Sequence, residues 1–129
     1  MTPGETLPPF VIAAVSAAAM REWTVFLDDP NPIHTDPDAV RALGLGDRVI
    51  NQGPANLAYI MNMLRIAFPG ATIEKIDARF LDNVFDGDRV TAGGRVTARE
   101  GGRIDCEIWL EADGRGPVIR GTAALVEGN

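Results

Sequence analysis

An acid and an imidazole stand five positions apart in the segment LDDPNPIHTDPDA, residues 27–39: Asp29 and His34. A carboxylate and a histidine held together can pass protons in both directions, and histidine is the side chain best matched to that work near neutral pH. Such work needs fixed positions, because a loosely held base loses most of its advantage. Pro30 and Pro32 each lock their own φ and push the preceding residue toward extended backbone, so the loop is stiff. Asn31 lies between them, where its side chain can hydrogen-bond local backbone and fix the turn. The same composition suits a plain connector, since Pro, Asn and Asp are turn residues, and the residues alone leave both readings open. Asp36 is placed to cap a following helix, and Asp28 to face solvent at the end of the preceding one.

The rest of the chain limits what such a pair can serve. Its 129 residues suffice for one sizeable core, so a single domain over 1–129 is expected. A hydrophobic share of 46% and a charged share of 23% are those of an ordinary soluble globular protein. The formal net charge is −6, Lys75 is the single lysine, and the arginines are scattered, which argues against nucleic acid or an anionic membrane as partner. The lone cysteine, Cys106, leaves no internal disulfide or cysteine cluster, and one histidine leaves no all-histidine site, so neither metal nor cofactor is expected. The start MTPGETLPPF is polar and lacks the basic opening of a signal peptide. The apolar run ANLAYIMNML is too short to cross a bilayer and carries asparagines. A cytoplasmic location is the expectation.

Around the loop, the pattern predicts what must position it. Residues 1–9 read as an irregular arm with three prolines, and FVIAAV as a short strand. Ser16 can cap a helix running to about Asp28, with Met20, Trp23 and Phe26 or Leu27 at helical spacing. Past the loop, Asp36 and Pro37 can start a short helix that Gly44 or Gly46 ends. Gly53 to Phe68 is apolar on almost every side, interrupted only by Asn56, Asn62 and Arg65, which predicts a helix buried in the core. Strands follow. IEKIDARF sets Ile76, Ala78 and Phe80 against Lys75, Asp77 and Arg79, and RIDCEIWLEA sets Ile104, Cys106, Ile108 and Leu110 against Asp105, Glu107, Trp109 and Glu111. RVTAGGRVTARE is weakened by two glycines, GPVIRGTAALVE closes the chain, and DGDR and ADGRG mark turns. The expected architecture is α+β: a curved antiparallel sheet wrapped around one long buried helix.

The segment DDPNPIHTD resembles the signature of the MaoC-like dehydratases, which include the (R)-specific enoyl-CoA hydratases. Their pattern, Asp-x-Asn-Pro-aliphatic-His-x-Asp, is matched by Asp29, Asn31, Pro32, Ile33, His34 and Asp36. LGLGDRVINQGPANLAYIM sits where that family opens its long central helix on a His-Gly pair, and FLDNVFDGDRVTAGGRV resembles its later Gly-Asp turn and strand. The resemblance implies the hotdog fold, in agreement with the pattern above. Two positions depart from it: Gln52 stands where the family commonly has histidine, and Met61, next to Asn62, falls where a serine often supports the pair. Both departures point away from an ordinary fatty acyl chain.

The resemblance also implies a reaction. The substrate would be an acyl thioester on coenzyme A or on an acyl-carrier protein, with water added across its 2,3 double bond to give the (R)-3-hydroxyacyl product, or removed in reverse. Asp29 and His34 would hold the water and handle its protons, with Asn31, Pro32 and Gln52 supporting the loop. Gly53, opening the central helix, would offer a backbone N–H to the thioester oxygen as it gains charge; Pro54 has no N–H to offer. An exposed sheet edge and a half-open site imply a homodimer or a dimer of dimers. The rival expectations are a non-catalytic acyl-binding or partner subunit of a heteromeric hydratase, and another hotdog thioester enzyme, a thioesterase or isomerase.

Overall fold

The alternating segments form one sheet in which every pairing is antiparallel. The computed structural model describes residues 1–128. Strand β1 (Phe10–Ile12) is followed by helix α1 (Ala17–Leu27), a 3₁₀ turn (Pro32–His34), helix α2 (Pro37–Ala42) and helix α3 (Gly53–Ala67). Strands β2 (Thr72–Phe80), β3 (Val90–Glu100), β4 (Arg103–Ala112) and β5 (Gly116–Val126) complete the chain. The sheet order is β1-β3-β4-β5-β2. Register shifts at Ile73/Lys75, Val96/Ala98 and Leu110/Glu111 insert bulges, and bulges add the local bend that curls a sheet around a helix.

The inner sheet face meets α3. Ile60, Met63 and Leu64 of the helix are fully buried, together with Val96, Ile104, Ile108, Leu110 and Ile119 of the strands. Each such side chain contributes roughly 1.5–3 kcal/mol by leaving water. The two glycines of β3, which looked like a weakness, serve close approach on opposite faces. A Cβ on Gly94 would stand 3.2 Å from Met63 Cε and 3.0 Å from Leu7 Cδ1, so its absence lets the helix and the arm settle onto the sheet. A Cβ on Gly93 would stand 2.3 Å from Nε1 of Trp109, whose indole covers that position.

Several expectations need correction. The helix over 53–67 is not buried all round: Ile66 is 60% exposed, because the sheet covers one side of α3 only. On α1 only Met20 is buried, and Phe26 is 80% exposed, its ring edge-on to Trp23. Phe80 leaves the core at the end of β2. FVIAAV shortens to Phe10–Ile12, since Val15 turns instead to the Asp86–Asp88 loop, donating its N–H to Asp88 and accepting from Gly87. Residues 1–9 are an irregular arm, as expected, but they are tied to β3, with Gly4 and Leu7 donating backbone N–H groups to Val96 and Gly94 at 2.8 Å each.

Candidate active site

Local chain chemistry builds the loop from both ends. Ser16 caps α1 through its hydroxyl, and the helix stops at Asp28, which takes a left-handed conformation with φ 50°. Asp is among the few residues that adopt it at modest cost. The backbone N–H of Asp29 then returns to the carbonyl of Thr24 at 3.0 Å. Beyond the loop, Asp36 caps α2 by accepting from the Asp38 N–H at 2.9 Å, as its position predicted.

Asp29 divides its two oxygens between the loop backbone and the imidazole. Oδ1 accepts the Asn31 backbone N–H at 3.1 Å, and Asn31 Oδ1 in turn accepts from Ile33 at 3.2 Å. Oδ2 lies 3.1 Å from Nε2 of His34. The histidine side chain is 8% exposed and that of Asp29 37%, so the imidazole is sheltered while the carboxylate borders solvent. Nδ1 of His34 sits 2.6 Å from the carbonyl oxygen of Ile50. A carbonyl can only accept, so Nδ1 carries a proton and donates it. Nε2 is thereby left to face the Asp29 carboxylate.

The segment from residue 50 to 53 frames this pair. Ile50 holds His34, and its own N–H bonds the carbonyl of Ile33 at 2.9 Å. Asn51 Nδ2 donates to Asn56 Oδ1 at 2.7 Å and to the Tyr59 hydroxyl at 3.1 Å. Burial pushes the Tyr59 phenol above its ordinary range, and the Asn51 bond pulls partly the other way. Gln52, 1% exposed, donates from Nε2 to the Met20 carbonyl at 2.8 Å and to Thr24 Oγ1 at 3.1 Å, while its Oε1 is buried without a partner. An unmet buried acceptor costs about 1–3 kcal/mol. Gly53 starts α3. No side chain caps this helix, Pro54 has no N–H, and Asn56 bonds back to the Gln52 carbonyl, so among the described residues the N–H groups of Gly53 and Ala55 are left without a protein acceptor. Phe80 packs over this start, with Cε1 3.5 Å from where a Gly53 Cβ would be.

Asp29, His34, Asn31 and Pro32 are thus brought together in one loop, with Gln52 and Gly53 on the adjoining segment. Met61 is half-buried on α3 and Asn62 exposed. Sequence reasoning missed Ile50, Thr24 and Phe80. Ile50 and Thr24 hold the pair through their carbonyls, which no side-chain pattern announces, and Phe80 looked like core. Among the described residues no group of three or more His, Cys, Asp or Glu side chains is arranged to hold a metal. Arg48 is engaged with Asp88 at 3.2 Å and stacks on Phe85. The clefts on the α1 face (Glu22, Trp23, Phe26) and beside β2 and β5 (Asp77, Arg79, Leu81, Arg120) include neither member of the pair.

A curled antiparallel sheet closed over one long helix, with an acid–imidazole loop beside the helix start, is the hotdog domain of the hydratases. The chain belongs to the MaoC-like family: the family model described as a MaoC like domain matches residues 2–109. The fold superposes on the (R)-hydratase of A. caviae involved in PHA biosynthesis with a TM-score of 0.89, at 23% identity over 98% of this chain and 97% of that one. A chain of the ChsH1–ChsH2 complex of Mycobacterium tuberculosis gives 0.87 at 20% identity, covering 98% of both. The MaoC-like dehydratase of Rhodospirillum rubrum gives 0.82 at 21%, covering 100% and 94%. In sequence, a UPF0336 protein of Streptomyces avermitilis is 41% identical over 44 residues, 34% of this chain; the match spans 29% of that relative's length.

Proposed function

We propose that the protein is a hydro-lyase that adds water to, or removes it from, the 2,3 position of an acyl thioester, linking an enoyl and an (R)-3-hydroxyacyl form. The observation that carries this reading is the 3.1 Å contact between His34 Nε2 and Asp29 Oδ2, with Nδ1 already committed to Ile50. In the hydration direction a water held against both side chains gives its oxygen to C3, and the pair takes one proton from it and delivers one to C2. Negative charge moves to the thioester oxygen as the C2–C3 π electrons shift. Free N–H groups at Gly53 and Ala55, at the positive end of the α3 dipole, are suited to accept that charge. Membership of the MaoC-like family supports the same reaction class.

Asp29 borders solvent, and β2 leaves one edge of the sheet unpaired. An acyl chain therefore needs walls from a second polypeptide, and pairing of two copies supplies them. The likeness to a chain of the ChsH1–ChsH2 complex supports a second reading, in which the partner is a different protein. Hydration of crotonyl-CoA and of longer and branched enoyl-CoAs, followed by loss of the enoyl absorbance alongside the sedimentation mass, tests both. Turnover by a homodimer is the expected result. An inert protein across the whole series, regaining turnover only with a second hotdog chain, would transfer the assignment to the heteromeric reading.

A further inference from the structure

We infer that Gln52 is a positioning residue for Asp29, acting through Thr24. Thr24 is a hub with two outlets. Its carbonyl accepts the Asp29 N–H at 3.0 Å, and its hydroxyl donates to Met20 O at 3.0 Å while accepting from Gln52 Nε2 at 3.1 Å. Gln52 also reaches Met20 O directly at 2.8 Å. The carboxamide thus ties the last turns of α1, which carry the acid, to the residue immediately before Gly53. Ile50, two residues earlier, ties down the histidine. Acid, imidazole and helix start are therefore all referenced to one four-residue segment.

The unpartnered Oε1 singles out which half of the amide is used. Turning the amide over would set Oε1 against the Met20 carbonyl oxygen at 2.8 Å and leave Nε2 in the place that has no partner, so the orientation is fixed. An apolar side chain of similar shape would bury the same volume without leaving an oxygen unmet. What the amide adds is its two N–H bonds, and both go to α1. Histidine at this position could titrate; glutamine makes the same kind of tie with no charge change across the working pH range.

This inference rests on the hydro-lyase reading for its kinetic consequence but not for its structural one. Because His34 is the only histidine, its Nε2 nitrogen resonance reports the contact with Asp29 free of overlap, with or without turnover. The test compares wild type with Gln52→Met, Thr24→Val, the double variant and Asp29→Asn. In Gln52→Met and in Thr24→Val the Nε2 resonance is expected to move toward its Asp29→Asn position. The double variant should move no further than the larger single shift. With an active thioester, kcat should fall about 10-fold while KM stays within about twofold, since the loss is one of alignment. An unmoved resonance in both single variants would overturn the inference, even if their melting temperatures fell. A shift in Gln52→Met absent from Thr24→Val would overturn the route through Thr24. If no enoyl thioester is turned over but the resonance moves as expected, the reaction assignment fails and the positioning role stands.

Discussion

The Ile50 carbonyl and His34 Nδ1, 2.6 Å apart and sixteen residues distant in sequence, determine which ring nitrogen is left to face Asp29. Neutral His34 must carry its proton on Nδ1, leaving Nε2 basic and directed at Asp29. Long-range proton–nitrogen correlation spectra of the single histidine should therefore show the Nδ1–H form when the ring is neutral. Observation of the Nε2–H form would mean that the Ile50 anchor does not operate in solution.

Removing either member of the pair should abolish turnover while leaving the fold intact. His34→Ala deletes the imidazole, and Asp29→Asn retains the shape and the Oδ1 bond to Asn31 but removes the ionisable carboxyl. Each is expected to lower kcat by about 10²-fold or more, with an unchanged circular dichroism spectrum. A His34→Ala protein of full activity would end the acid–base assignment. Asn31→Ala should act more gently, since it removes only the brace on the Ile33 N–H.

Much of this architecture is legible in the sequence. Period-two alternation in 103–112 and the apolar run after Gly53 define the sheet and the helix it covers, and the doubled prolines around Asn31 mark a loop stiff enough to hold side chains. What escaped was carried by backbone or by position. The anchoring carbonyls of Ile50 and Thr24 leave no trace in residue type. Phe80 and Phe26 share the period of core residues but lie at element ends that the sheet does not cover, so their exposure follows from topology and not from pattern. The Gly93–Gly94 pair looked like a weak strand because its two partners, Trp109 and Met63, lie far along the chain.

That pair supports a stability prediction. A methyl on Gly93 would enter the Trp109 indole at 2.3 Å from Nε1, against the rigid ring and not a flexible tip. Gly93→Ala should cost about 1–3 kcal/mol, the usual scale of overpacking. Trp109→Leu in the same chain should recover part of that loss by vacating the space, giving a non-additive double-mutant cycle in urea. Strictly additive effects would show that the two positions do not compete for volume.

Cys106 supplies a pH dependence whose sign can be worked out. Burial, aided by the neighbouring Asp105 carboxylate, pushes its thiol from 9.0 up to about 11. The folded state therefore holds this proton more tightly than the unfolded chain does. The resulting stability is fully present below about pH 9 and is lost as pH rises toward 11, amounting at most to about 3 kcal/mol. Cys106→Ala lacks this limb, so the gap in urea stability between wild type and variant should narrow from pH 7.5 to pH 10.5. The same burial predicts slow alkylation of the native thiol by iodoacetamide at pH 8 and rapid alkylation in urea. A gap independent of pH, together with fast native alkylation, would place the sulfur at an accessible site and contradict its 1% exposure on the inner face of β4.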